Sequence, residues 1–178
     1  MNDKLAQALH YLIHLAQDRR WPLGAVKLAK SIVLSEAASL GHRHRPLTGV
    51  RIVKAPRGPI PDKYEEHLQW LESKGLIRIS EGNQLYEPTS YESLSPPLMS
   101  GFDAQELEIM AEIGEICCKK YTAADLSDLT HDDIWKMTDM GEKIPLATYL
   151  PSMIIPSTPE QLEESRQELM AMGYVFKN

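Results

Sequence analysis

The chain has 178 residues, of which 43% are hydrophobic and 25% are charged, and its formal net charge is −6. These values exclude a disordered, fibrous or disulfide-dependent protein and are typical of a folded globular one. No segment is apolar over a membrane-spanning length, and the N-terminus lacks the features of a signal peptide, so a cytoplasmic location is expected. Residues 1–100 carry 13 basic and 10 acidic side chains, whereas residues 101–178 carry 6 and 15. This dipolar distribution argues against wrapping of nucleic acid around the whole chain.

Two helices are predicted at the start of the chain. Asn2 or Asp3 can cap the first, which residues 18–22 end. The second spans residues 23–40, with Gly41 as its C-cap. Its broad apolar stripe predicts a central, well-covered helix.

A third helix and a small hairpin are predicted next. Residues 42–60 are interpreted as irregular, apart from a short extended piece at 49–54, because prolines recur there. Pro61 suits the first position of a helix that ends at Lys74-Gly75. Residues 76–79 and 84–86 are predicted to pair as a hairpin.

The predicted fold is mainly α with a small β-hairpin, packed as one domain over residues 1–178. The order of helices and hairpin in residues 1–87 predicts a winged-helix-like part, residues 88–101 a connection, and residues 102–178 a helical part. Helix starts in the last part are marked by capping-box pairs: Asp103 with Glu106, Thr122 with Asp125, Thr130 with Asp133, and Thr158 with Gln161.

Signatures of catalysis and metal binding are missing from the sequence, so no enzyme activity, cofactor or metal is expected. Cys117 and Cys118 are adjacent, which disfavours a disulfide between them, and both are expected to be reduced and packed. His10 and His14 have a spacing that metals can use, but no carboxylate or cysteine with ligand spacing accompanies them. A structural role is favoured for this pair.

The strongest local feature is a basic segment, residues 42–57, which contains no carboxylate. It can attract nucleic acid, an acidic protein partner, or the acidic C-terminal part of the same chain. A DNA-binding helix should present cations to the groove, yet the third helix carries four carboxylates against two lysines. Base readout is therefore disfavoured, and nucleic acid stays an alternative partner.

Two stretches together carry a family resemblance. Residues 27–79 contain an apolar helix beginning Lys-Leu, then Pro-Leu-Thr-Gly, Gly-Pro-Ile-Pro, and a helix ending in Gly-Leu-Ile. Residues 126–146 contain Leu-Thr-His and then Trp135. In this order and at this distance, the two stretches resemble the SocA-like, or Panacea, domain over most of residues 27–146.

The resemblance implies a non-enzymatic antitoxin of a type II toxin–antitoxin system in a bacterium or phage, which neutralises a co-encoded protein toxin by direct binding. One type of member instead delivers its toxin to an ATP-dependent protease, so an adaptor is one alternative. A winged-helix transcription regulator is the other.

Partner contacts are predicted at cations of the basic segment and at aromatic side chains: Arg51, Lys54, Arg57, Trp70, His131 and Trp135. His131 and Trp135 lie four residues apart on a predicted short helix, and for both a structural role is the favoured interpretation. The proline-rich elbow lacks the consecutive backbone donors of an anion-binding loop. Gly58, Pro59 and Pro61 are therefore interpreted as a rigid corner that positions the third helix.

Overall fold

The computed structural model of the chain describes residues 3–82, 89–149 and Gln167. They fold mainly as helices, with two small antiparallel strand pairs. In chain order the elements are α1 (Asp3–Asp18), α2 (Ala25–Arg43), β1 (Ile52–Ala55), β2 (Gly58–Pro61), α3 (Tyr64–Ser73), β3 (Ile77–Ser80), β4 (Ser90–Ser93), α4 (Ala104–Lys119), α5 (Ala123–Thr130), α6 (Asp133–Met137) and a 3₁₀ helix (Leu146–Tyr149).

Helix α2 is the centre of the fold. All twelve residues from 28 to 39 are buried, so the helix is covered on every side, as its wide apolar stripe predicts. It contacts α1, α4, α5, β2 and the 3₁₀ helix. The predicted end at Gly41 is wrong, because the helix continues to Arg43. His44 closes it in the left-handed conformation, with φ 56°, and donates its backbone N–H to the Leu40 carbonyl.

The apolar core has two main parts that share α2. One joins α1 and α3 to the first half of α2, and its buried side chains include Leu5, Leu9, Leu12, Ile13, Leu28, Ile32, Leu47, Leu68 and Leu71. The other joins the second half of α2 to α4 and α5, through Val33, Leu34, Ile109, Ile113, Cys117, Leu126 and Ile144. Burial of these side chains supplies the main favourable free energy of folding.

Residues 52–61 form a β-hairpin where the sequence predicted an irregular segment. β1 and β2 pair antiparallel, with Ile52 opposite Pro61 and Ala55 opposite Gly58. Prolines fit in this hairpin because each strand has only one neighbour. The backbone N–H groups on its outer edge are therefore not needed for strand pairing. Pro61 therefore ends a strand, and α3 begins only at Tyr64, contrary to the prediction that Pro61 opens the helix.

The second hairpin differs from its prediction as well. β3 pairs with β4, so that Ile77 lies opposite Ser93 and Ser80 opposite Ser90. A strand therefore lies within residues 88–101, where only a connection was predicted, and the strand expected at residues 84–86 falls outside the described residues. The winged-helix assignment stays a prediction.

The histidine pair of α1 is used to hold β4. His10 Nε2 and His14 Nδ1 lie 3.2 and 3.1 Å from the hydroxyl of Ser93, and Gln17 accepts a hydrogen bond from the Ser93 backbone N–H. This contact supports the structural interpretation of the two histidines.

Two of the predicted capping boxes are present. Asp103 with Glu106 begins α4, and Thr122 with Asp125 begins α5. The prediction at Thr130 is wrong, because this residue ends α5 and Asp132 caps α6 instead. The pair Thr158 and Gln161 lies outside the described residues.

Part of the basic segment neutralises carboxylates at the start of α4. Arg43 bonds Asp103 at 2.5 Å and approaches Glu106 at 3.3 Å, while Arg45 bonds Asp103 at 3.1 Å. Glu106 is 3% exposed and also pairs with Lys4 at 3.0 Å. The basic segment therefore pairs partly with carboxylates of the acidic C-terminal part of the same chain.

Replacing Arg43 by Met should destabilise the protein by about 1–3 kcal/mol, because the nearly buried Glu106 loses one of its compensating charges. Arg45→Met is the matched control, since Arg45 is 57% exposed and its pairs are screened by water. It should cost less than about 1 kcal/mol. Urea unfolding measures both; equal losses would contradict this assignment.

Candidate protein-binding site

The two sequence stretches that carry the motifs meet beneath the turn of the β1–β2 hairpin. Gly58 has φ +97°, and a Cβ built on it would lie 2.3 Å from Lys30 Nζ, 2.9 Å from Thr130 Oγ1 and 3.1 Å from His131 Nε2. Only glycine allows both this backbone conformation and this approach. The Gly-Pro-Ile-Pro segment therefore packs directly against Leu-Thr-His.

Lys30 of α2 lies at the bottom of this contact. It is 1% exposed, and its ammonium group donates a hydrogen bond to the carbonyl of Pro59 at 2.8 Å. Burial lowers the pKa of Lys30 from 10.5 to about 7. Because the amine is enclosed, it can position the hairpin but cannot reach a substrate in solution.

His131 and Trp135 form a stacked pair beside the hairpin. Their ring centroids are 3.7 Å apart and their planes differ by 10°. Burial and then the positive charge of Lys30 lower the pKa of His131, and the negative charge of Asp128 acts in the opposite direction. His131 is the C-cap of α5, whereas the sequence predicted that it lies on the same short helix as Trp135.

Lys54 connects the hairpin to α6. Its ammonium lies 4.3 Å from the centre of the Trp135 ring and donates to the carbonyls of Thr138 and Lys136, at 2.7 and 3.3 Å. The backbone of Lys54 also bonds residues 141 and 142. The hairpin, α6 and the following turn are therefore one connected unit.

The outside of this unit is apolar. Ile134 is 41% exposed, Met137 83% and Met140 60%; we call these three residues the α6 patch. Arg57, at the tip of the neighbouring hairpin, is exposed and has no ion pair with the described residues. Flexible, exposed methionines suit contact with a protein surface.

The predicted contact residues do not all lie together. Lys54 and His131 each contact Trp135, and Arg57 is at the turn of the hairpin that carries Lys54. Arg51 instead pairs with Asp62 at 2.9 Å, and Trp70 is half-buried against the core. The role of Trp70 as a partner contact stays a prediction.

Sequence reasoning missed Lys30, Met137 and Met140. Lys30 lies on an apolar stripe, and no neighbouring residue in the sequence indicates that its ammonium group donates a hydrogen bond to the Pro59 carbonyl. The methionines gave a weak signal, because Met137 ends a five-residue helix that has little core to cover and Met140 follows three residues later.

Within the described ranges there is no group of three metal-ligating side chains and no helix suited to crossing a membrane. Cys117 and Cys118 are free and buried. Burial raises the pKa of these thiols to about 12 and about 11, which leaves both unreactive near neutral pH.

Comparison with known families matches residues 28–136 to the model described as "Antitoxin SocA-like, Panacea domain". Comparison with curated proteins and with solved structures finds no match. The matched residues run from α2 to α6 and include every residue of the contact between Gly58, Lys30 and His131. The chain belongs to the SocA-like antitoxin family, whose Panacea domain covers its central part.

Proposed function

We propose that the protein is an antitoxin that neutralises a co-encoded protein toxin by direct binding, and that the α6 patch with Arg57 and Lys54 contacts the toxin. Family membership supports the toxin–antitoxin role. The observation that supports this surface is its composition: large exposed apolar side chains beside cations, on a unit fixed by Lys54 and Trp135.

The energetics of interfaces favour this arrangement. Burial of an exposed methionine or isoleucine side chain contributes roughly 1.5–3 kcal/mol. Affinity in protein complexes is concentrated in a few such central residues, while charges at the rim favour the correct partner. A rigid support matters because side chains that are already positioned lose less entropy on binding.

Binding of operator DNA is disfavoured by the charges of the described residues. The exposed side of α3 carries Glu65, Glu66 and Glu72. In the basic segment, Arg43, Arg45 and Arg51 already pair with carboxylates. Few cations remain to replace the counterions of a phosphate backbone.

The functional test is co-expression with the product of the adjacent open reading frame. The wild-type protein should restore growth and copurify with that product. The variant Met137→Asp/Met140→Asp should do neither, although its unfolding free energy stays within about 0.5 kcal/mol of wild type because both side chains are exposed.

Leu98→Asp is the matched control, since Leu98 is 78% exposed and lies outside the α6 patch. It should keep full neutralisation. Loss of function in Leu98→Asp with retention in the double variant would contradict the proposed surface.

Measuring the half-life of the toxin distinguishes neutralisation from delivery to a protease. With a neutralising antitoxin, the bound toxin persists after protein synthesis is stopped. An adaptor shortens the half-life, and removal of the ATP-dependent protease restores it. Rapid loss of the toxin in the presence of the wild-type protein would therefore favour the adaptor.

A further inference from the structure

A second surface lies where the loop between α1 and α2 faces the junction of α4 and α5. It is an open groove of about 890 Å³. Its apolar lining includes Trp21, Leu23, Val26 and Tyr121. A groove of this size accommodates a short peptide segment with one or two apolar side chains.

The charges that line the groove are mostly of one sign. Among its described residues, Lys27, Arg57, Lys119 and Lys120 are basic and Asp125 alone is acidic. The carboxylate of Asp125 accepts hydrogen bonds from Thr122, so it is already engaged by the helix cap. Lys119 is paired with Glu115 at 2.7 Å, so the lining cations without a carboxylate partner among the described residues are Lys27, Arg57 and Lys120. These three favour an acidic ligand.

The N-terminus of α2 also opens at this groove. Its N-cap is Gly24, which has no side chain to accept hydrogen bonds, and its first turn contains no acidic residue. The first helical hydrogen bond runs from the Leu28 N–H to the Gly24 carbonyl, which leaves the N–H groups of residues 25–27 without an acceptor among the described residues. A helix N-terminus with free backbone N–H groups attracts a carboxylate.

A buried donor provides an independent observation at the same place. Trp21 lines the groove and is 6% exposed, and its indole N–H has no acceptor within the described part of the chain. Buried polar groups are normally satisfied. The uncapped helix and the cations favour an acceptor from outside, and the indole N–H is a further unpaired donor buried beneath the same surface.

We propose that this groove binds an acidic segment of a protein partner, in which a carboxylate approaches the N-terminus of α2 and a neighbouring apolar side chain packs on Trp21, Leu23 and Tyr121. The groove is a second binding surface that shares Arg57 with the proposed toxin surface, whereas Trp21, Gly24 and Lys120 belong to the groove alone.

The test uses the full ¹⁵N-labelled chain and the peptide acetyl-Leu-Asp-Glu-Leu-Phe-amide at up to about 2 mM, a range suited to weak peptide binding. The amide resonances of Ala25, Val26 and Lys27 and the Trp21 indole resonance should shift. The Asn-Gln version of the peptide should leave them unchanged. Raising salt to about 0.5 M should weaken the binding of the acidic peptide.

Variants separate binding from folding. Gly24→Asp supplies the missing cap, so it should raise Tm and abolish the peptide-induced shifts. Lys120→Glu should weaken binding about fivefold, because an attraction becomes a repulsion. Lys74→Glu, the same change at an exposed position outside the groove, should leave binding unchanged.

Three outcomes would overturn the proposal: no shifts with the acidic peptide, equal shifts with the Asn-Gln peptide, or shifts confined to the α6 patch. A further contradiction would be full binding by Gly24→Asp. Failure of toxin neutralisation is measured separately and does not decide any of these results.

Discussion

Gly58→Ala should be among the most damaging single substitutions in this protein. The new Cβ would lie 2.3 Å from Lys30 Nζ, and the backbone would have to hold φ +97° with a side chain present. Left-handed strain costs roughly 1–2 kcal/mol and overpacking roughly 1–3 kcal/mol. We expect a loss of about 3 kcal/mol, which should lower Tm by roughly 6–12 °C in a calorimetric scan.

Gly75→Ala measures the stability cost of the left-handed backbone conformation without a steric clash. Gly75 has φ +66°, and nothing lies within 4 Å of the Cβ position. This control should lose only about 1–2 kcal/mol. If the two variants are equally stable, the close contact between the hairpin and Lys30 does not restrict position 58, and our account of this contact is wrong.

Replacing Lys30 by Met should remove most of a pH dependence of stability in the wild-type protein. The folded pKa of Lys30, about 7, lies below its unfolded value of 10.5. Between these two values the unfolded chain holds more protons, so stability rises with pH across this window and is lowest below pH 7. From pH 7 to 9 we expect a rise of about 2 kcal/mol in wild type that Lys30→Met lacks.

Other titratable groups limit the pH range in which this experiment reports on Lys30 alone. His131 and Lys54 face the same contact, and a lowered His131 pKa affects stability mainly below pH 7. The raised pKa values of Cys117 and Cys118 lower stability at higher pH, from about pH 9 upward. Urea unfolding at pH 7, 8 and 9 avoids most of both effects. Parallel curves for wild type and Lys30→Met would contradict the lowered pKa.

Local sequence signals predicted the helices well wherever a cap or an apolar stripe determines them. Asp103 and Thr122 begin helices as expected, because each satisfies a free backbone N–H within its own turn. The pattern at Thr130 is similar, but its hydroxyl donates to the Leu126 carbonyl inside α5, and Asp132 takes the capping role. A short motif cannot tell which of two nearby residues will be buried.

Strand pairing was harder to predict because it depends on distant residues. β2 contains two prolines and reads as a turn, yet it is held by β1, α2 and α5. β4 lies in a segment rich in Ser and Pro, and its position is fixed by the contacts of Ser93 with His10, His14 and Gln17. None of these partners is near in sequence.

The proposed contact surface could be predicted only in part. Lys54, Arg57, His131 and Trp135 were selected as cations and aromatics near the two motifs, and the structure places these motifs side by side. The α6 patch could not be derived from periodicity, because exposure of Met137 and Met140 depends on how α6 packs against the hairpin. The interpretation of Gly58, Pro59 and Pro61 as a rigid corner that positions the third helix stays a prediction. Gly58 and Pro59 pack against Lys30, while Arg57 is exposed at the turn of the hairpin.

The most direct test of the central claim is calorimetric titration of the purified protein with the purified product of the adjacent open reading frame. We expect a stoichiometric complex that Met137→Asp/Met140→Asp weakens at least tenfold and Leu98→Asp leaves unchanged. Absence of any complex at about 50 μM of each protein, or equal affinity in wild type and the double variant, would contradict it.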